Sequence, residues 1–278
     1  MPVELALQPT LRLLRPCWPQ PPGVDAAMST RAGGLSCGPF DSLNLGVAVG
    51  DLPEATSANR ARFAQALGAR PVWLRQVHGV AVRQLLEGST PATDDPPADA
   101  AWTTATGLAC TVQVADCLPV LLASRDGKAV AAAHAGWRGL SQGVLEATLL
   151  ALREGAGVLP GELQAWLGPC IGPRQFQVGA DVLAAFGVPA EVGHSGGVEA
   201  SALFQPCELP GSDGRPRWWA DLPGLARARL LALGLKPQAV LSAGLCTVEQ
   251  SSDFFSFRRE HARSLPSGRM AAAIWRCA

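Results

Sequence analysis

Apolar residues along the chain gather into short runs separated by glycine and proline, and the stretch that organises them runs from Asp99 to Leu140. Leu108 to Val114 is small, β-branched and apolar, as a buried strand requires, and it gives way to Ala115-Asp116-Cys117-Leu118-Pro119. A proline cannot donate to a central ladder, so Cys117 is expected at a strand end or bulge. Val120 to Ala123 and Ala129 to Ala133 read as two further strands joined by a turn at Arg125-Asp126-Gly127-Lys128. The second of them delivers His134 into the bend His134-Ala135-Gly136-Trp137-Arg138-Gly139. Cys117 and His134 are therefore expected at neighbouring strand ends. Beyond the bend, Ser141 is placed to cap a helix whose positions Val144, Leu145, Thr148, Leu149 and Leu152 recur with helical period.

The flanking regions carry weaker patterns. Val3 to Pro22 alternates apolar runs with prolines and predicts at most an edge strand. A helix starting at Thr56 or Ser57 runs through Leu67 to Gly68, with Phe63, Ala66 and Leu67 as its buried stripe. Val72 to Val82 is strand-like on both sides of His78-Gly79, and Glu87 to Ala98 reads as a surface loop. Leu163 to Leu167 predicts a strand leading into the rigid turn Gly168-Pro169-Cys170-Ile171-Gly172-Pro173. Phe176 to Val178 is extended, Ala180 to Phe186 helical, and Pro189 to Pro216 the most variable and mobile part. Asp221-Leu222-Pro223 caps a helix that runs to Leu233, Ala239 to Leu245 is a strand, and Arg269 to Trp275 is a buried strand. Strands outnumber helices in irregular alternation with no internal repeat. The expected class is a mixed α/β or α+β sheet fold in a single compact domain spanning residues 1–278, rather than a regular doubly wound one.

Composition narrows the function. With 278 residues, 48% of them hydrophobic, the chain can bury a sizeable core. Lys+Arg and Asp+Glu both number 23, and no basic stripe interleaved with aromatics occurs, so nucleic acid is excluded as the expected partner. A small molecule is expected instead, and no protein partner is implied. Met1-Pro2-Val3-Glu4 lacks a basic, leader-like start and no apolar run is long enough for a bilayer, which predicts a cytoplasmic protein with no membrane association. Eight cysteines lie scattered without a C-x-x-C pair, as small buried hydrophobes would rather than a disulfide framework.

Three residues hold the most specific chemistry. His78, Cys117 and His134 offer two imidazoles and a thiolate, a set that suits zinc and leaves a fourth tetrahedral position open. Their spacing is too long for a local knuckle, so the fold must assemble them. Two alternatives stand beside this: Cys117 as a nucleophile with a histidine as base, and all three as packing residues of a binding module. The loop from Met28 to Gly46 is rich in glycine and carries Arg31, a fork for phosphate or carboxylate, although it matches no standard phosphate loop.

The strings Ser29-Thr30-Arg31-Ala32-Gly33-Gly34, Ser42-Leu43-Asn44-Leu45-Gly46, Gln76-Val77-His78-Gly79, Ala115-Asp116-Cys117-Leu118-Pro119, His134-Ala135-Gly136-Trp137-Arg138-Gly139, Gly168-Pro169-Cys170-Ile171-Gly172-Pro173 and Phe254-Phe255-Ser256-Phe257-Arg258-Arg259 occur in order from about Met28 to Trp275. Together they resemble the bacterial YfiH-like family, whose members are variously called laccase-domain proteins, polyphenol oxidoreductases, purine nucleoside phosphorylases and peptidoglycan editing factors. The resemblance implies mixed β-sheets packed between helices and a zinc site at His78, Cys117 and His134. It also implies phosphate-dependent splitting of adenosine, inosine, guanosine or methylthioadenosine, with adenosine deamination. Asp116 is then the candidate proton relay or turn-forming acid, with Arg31, Asn44, Arg138, Arg258 and Arg259 as candidate substrate and phosphate ligands; Arg138 alternatively fixes the loop after His134. Arg174-Gln175 replaces a frequent cysteine pair of relatives, and Phe257 stands where tyrosine is common.

Two of the family's names can be weighed by counting. Copper is possible but less expected than zinc, since multicopper oxidation needs many imidazoles and the chain has four histidines. The H-x-E and P-C-x-x-C arrangement of ordinary zinc deaminases is also missing. The alternative enzymatic activity that the resemblance implies is amide hydrolysis on a serine-containing muramyl precursor, with Cys117 or zinc-bound water attacking the carbonyl, and the non-enzymatic alternative is a small-molecule binding scaffold.

Overall fold

A computed structural model describes residues 10–89, 96–190, 201–211 and 213–277. The elements follow in chain order as β1 (Leu13–Leu14), β2 (Val24–Ser29), α1 (Pro53–Leu67), β3 (Arg70–Trp73), β4 (Val82–Gln84), β5 (Ala100–Thr103), β6 (Leu108–Val114), β7 (Leu118–Ser124) and β8 (Val130–Ala135). They continue as α2 (Trp137–Gln142), α3 (Val144–Ala156), β9 (Leu163–Leu167), β10 (Gln177–Val178), α4 (Ala180–Ala185), β11 (Phe204–Pro206), β12 (Trp218–Ala220), α5 (Leu222–Ala232), β13 (Val240–Ser242), α6 (Phe257–His261) and β14 (Met270–Arg276). A five-stranded sheet has the order β1-β2-β14-β6-β3, a six-stranded sheet β13-β9-β7-β8-β5-β4, and a small antiparallel sheet β10-β12-β11. Both large sheets are mixed. The β3–β6 pair is parallel in the first, and the edge pairs β13–β9 and β4–β5 are parallel in the second.

Strand alternation dictates how these sheets stack, because successive side chains point to opposite faces. Leu118, Val120 and Leu122 of β7, with Ala131 and Ala133 of β8, pack on Val144, Leu145, Leu149 and Leu152 of α3 and on Leu225 and Leu230 of α5. The intervening residues Leu121, Ala123, Val130 and Ala132 face Cys110, Val112 and Val114 of β6 and Ala272 and Ile274 of β14. On the far side of the five-stranded sheet, Ala27, Ala109, Ala271 and Ala273 meet Phe63 and Leu67 of α1. The order is therefore helix, sheet, sheet, helix: a mixed α/β fold with its sheets between helices, as expected. Each leucine fully buried in these layers contributes about 1.5–3 kcal/mol.

Several local expectations are corrected. Helix α1 begins at Pro53 rather than Thr56 or Ser57, since proline is tolerated at a first helical position. Its buried face is Thr56, Asn59, Phe63 and Leu67, with Ala66 exposed. Ser141 lies inside α2 instead of capping α3; Gly143, at φ 101°, separates the two helices. Pro119 sits within β7, one position before the β9 ladder begins at Val120, and contributes only its carbonyl, accepting from Gly168 N at 3.0 Å. The strand expected over Ala239 to Leu245 shrinks to β13, and Ala98 is buried rather than on a surface loop. Part of the stretch expected to be mobile, Phe204–Pro206, is the ordered strand β11. The remainder of the expectations at Val3 to Pro22, Glu87 to Ala98 and Pro189 to Pro216 falls partly on residues 1–9, 90–95, 191–200 and 212, outside the described residues.

Candidate metal centre

Among the described residues the chain passes between the two large sheets at four places, and two of these crossings carry a candidate ligand. Residues 74–81 lead from β3 of the five-stranded sheet to β4 of the six-stranded one and hold His78; residues 115–117 lead from β6 to β7 and hold Cys117. The third ligand, His134, lies in β8 directly opposite Pro119 of β7. The sequence expectation that Cys117 and His134 sit at neighbouring strand ends is met. Their ligand atoms and those of His78 all lie within 4.8 Å of one another. Cys117 Sγ is 3.7 Å from His78 Nε2, and the two imidazoles meet edge to face at 4.8 Å between centroids. His134 is buried, Cys117 half-buried and His78 exposed, so the cluster opens to solvent on the His78 side.

Asp99, fully buried just before β5, joins the cluster although the sequence assigned it no role. Its Oδ1 accepts from His134 Nδ1 (2.8 Å) and from the His78 backbone N–H (2.9 Å), and its Oδ2 from the N–H groups of Val77 (3.1 Å) and Gly79 (2.7 Å). With Nδ1 so engaged, His134 turns Nε2 toward the cluster, the arrangement by which carboxylates orient metal-binding histidines. His78 itself adopts φ 61°, an unusual conformation for a side chain of its size.

Burial pushes the Cys117 thiol up, yet the His134 and His78 imidazoles outweigh it and bring its pKa down to about 6. Burial works in the opposite direction on His134, where the neighbouring Cys117 and Asp99 prevail and raise its pKa to about 9. Asp99 is penalised by burial but held below the usual carboxylate range by His134 and the backbone donors. The thiol is thus predisposed to the ionised form that binds metals. Two imidazoles and a thiolate with one open direction fit a divalent ion of the zinc type.

Glycines allow this closeness. A Cβ on Gly136 would lie 3.0 Å from both Cys117 Sγ and His78 Cδ2, and one on Gly139 would lie 2.8 Å from Gly79 O. The bend after His134 therefore packs directly on the other two ligands, which explains why a glycine-punctuated segment follows that histidine.

The other candidate residues are differently disposed. The carboxylate of Asp116, at φ 88°, accepts from Thr247 Oγ1 (2.6 Å), Ser256 Oγ (3.0 Å) and Arg258 N (2.6 Å), tying the Cys117 turn to the segment around α6. Asn44 is fully buried and committed to Gly46, Asp51 and Arg269 N. Arg259 donates to Glu260 and to the carbonyls of Thr247, Val248 and Phe254. Arg258 reaches Gln175 O and Gln177 O, while Arg31 bonds Asp41 O and Ser251 O over the Phe255 ring. Arg138 is exposed on the first turn of α2, its guanidinium over the Trp137 ring at 4.3 Å. Cavities of about 500 and 240 Å³ share Pro173 and Arg174 and are lined by none of the three cluster residues.

Residues 25–277 match a protein family described as multi-copper polyphenol oxidoreductase laccase. A Pseudomonas aeruginosa protein named purine nucleoside phosphorylase PA4543 is 47% identical over 266 residues, covering 94% of this chain and 97% of that protein. Purine nucleoside phosphorylase YfiH of Escherichia coli is 43% identical over 271 residues, with 95% and 98% covered. Among solved structures, the Neisseria meningitidis protein NMB0706 is 42% identical with a TM-score of 0.81, over 96% of this chain and 99% of that one. Among the described residues no helix is long and apolar enough to cross a membrane.

Proposed function

Since this chain belongs to the YfiH-like family, the one described as multi-copper polyphenol oxidoreductase laccase, we propose that it is a zinc-dependent purine nucleoside phosphorylase acting in the cytoplasm as a single domain. The observation that carries this is the convergence of His78, Cys117 and His134 ligand atoms within 4.8 Å in a chain 47% identical to a protein of that name. Adenosine, inosine, guanosine and methylthioadenosine are the proposed substrates, with deamination of adenosine as a second activity. His78, Cys117 and His134 would hold the ion, which when bound supplies a Lewis acid that polarises or orients the reacting groups.

The chain's own groups have separate tasks. In phosphorolysis a phosphate oxygen bonds to the anomeric carbon as the glycosidic bond breaks, and the electron pair leaves with the purine, which takes up a proton. Arg138, exposed two residues after Gly136 and held over Trp137, is the proposed phosphate ligand, since a guanidinium fork matches phosphate oxygens. Asp116 holds the Cys117 turn in place through Thr247, Ser256 and Arg258. The oxidase description is not carried over: the chain has four histidines, and among the described residues only His78 and His134 belong to the cluster while His261 stacks on Phe257. That leaves too few imidazoles for a trinuclear copper site.

A second reading, in place of the first, has its own support. The lowered pKa of Cys117 favours a thiolate nucleophile, which suits hydrolysis of a muramyl peptide amide. Phosphate dependence separates the two. Purified protein incubated with inosine is expected to release free base and ribose 1-phosphate only when phosphate is present. Base release that ignores phosphate would make the reaction a nucleoside hydrolysis and overturn the phosphorylase assignment, whereas no base release alongside cleavage of the serine-containing muramyl precursor would transfer it to the amidase. A binding scaffold would turn over neither.

A further inference from the structure

We propose that Asp99 is the positioning residue of the cluster, one carboxylate that sets the ring of His134 and the backbone of His78 together, and thereby the separation of two ligands, one in β8 and one on the crossing from β3 to β4. The inference rests on the metal-binding reading of His78, Cys117 and His134. Four donors converge on this side chain: His134 Nδ1 and His78 N on Oδ1, Val77 N and Gly79 N on Oδ2, all between 2.7 and 3.1 Å. Its own backbone is equally engaged, Asp99 O accepting from His134 N at 2.7 Å and Asp99 N donating to Ala81 O at 3.0 Å.

The pattern is specific for a carboxylate. An ionised aspartate is acceptor-only and meets four donors with two oxygens, whereas asparagine must turn an amide N–H₂ toward at least one of them. Three of the four come from consecutive residues, 77–79, in a segment that holds no strand and carries a left-handed His78. Without the carboxylate those three N–H groups lose their shared acceptor, and Nδ1 of His134 loses the partner that leaves Nε2 to face Cys117. Asp99 touches no open face of the cluster, so it acts through the two histidines.

Three readouts test this, two of them on the unaltered protein. In zinc-loaded wild type, nitrogen NMR of the His134 ring is expected to place the proton on Nδ1; an unprotonated Nδ1 overturns the proposal. In metal-free wild type, the amide protons of Val77, His78 and Gly79 are expected to exchange slowly although their segment is partly exposed; rapid exchange overturns it without reference to any metal. Asp99→Asn is expected to bind zinc about 10–100-fold more weakly than wild type, the usual cost of losing such a partner, and to speed exchange of the same three amides. Unchanged affinity and exchange in that variant would show the carboxylate to be dispensable. Failure of wild type to bind zinc at all would instead strike the metal reading, leaving the amide measurement to judge Asp99.

Discussion

Gly136 and Cys117 approach so closely that a methyl group on the glycine would lie 3.0 Å from the cysteine sulfur. The glycine sits at φ −62° and ψ 155°, a conformation alanine adopts freely, so Gly136→Ala tests crowding without backbone strain. Displacing Cys117 and His78 by a few tenths of an ångström is expected to weaken zinc binding about tenfold or more, by analogy with losses around other metal sites. A competition titration against a chelating dye measures it; equal affinity would mean that the cluster tolerates looser spacing.

In metal-free protein, Cys117 should alkylate as a thiolate at unusually low pH. Its pKa lies at about 6, well below that of an ordinary thiol, so reactivity rises as pH rises through about 6 and is already near its plateau at neutrality. Cys110, whose thiol burial pushes upward, should stay unlabelled throughout. Iodoacetamide labelling across this range, read peptide by peptide by mass spectrometry, checks both, and bound zinc should protect Cys117. A midpoint near that of an ordinary thiol would refute the imidazole–thiolate coupling.

Asp116→Asn should cost stability rather than chemistry alone. Asparagine tolerates the left-handed backbone, but its amide would oppose one of the donors Thr247 Oγ1, Ser256 Oγ and Arg258 N. The expected loss is about 1–3 kcal/mol in urea unfolding, the cost of an unsatisfied buried polar group. Wild-type stability would deny the link between the Cys117 turn and the α6 segment.

Arg138 and Arg259 should behave oppositely. Arg138→Ala leaves the fold intact and is expected to raise KM for phosphate about tenfold, the equivalent of one charge-assisted hydrogen bond. Arg259→Ala strips donors from three backbone carbonyls and Glu260, so its expected effect is a lower unfolding midpoint. Steady-state kinetics with varied phosphate, paired with thermal melts, distinguishes them.

What the sequence revealed and what it hid divide along physical lines. Period-two apolar runs and glycine or proline stops define β6, β7, β9 and β14, and helical period defines the buried face of α3, because each depends on neighbours within a few residues. Cys117 and His134 were legible for the same reason: a short hairpin makes them neighbours. Asp99 was not, since its role depends on a crossing 20 residues earlier in the chain folding back to offer three N–H groups. Asn44 and Arg259, named as candidate substrate ligands, bond distant backbone groups that no spacing rule discloses. The start of α1 was placed too late for a simpler reason, the tolerance of a first turn for proline.

Metal analysis of wild type and Cys117→Ala, both purified without added metal, bears on the whole account. It predicts about one divalent ion per wild-type chain, held by three protein ligands, and essentially none in the variant. A wild-type chain free of metal, or a Cys117→Ala chain that keeps its full complement, would contradict it.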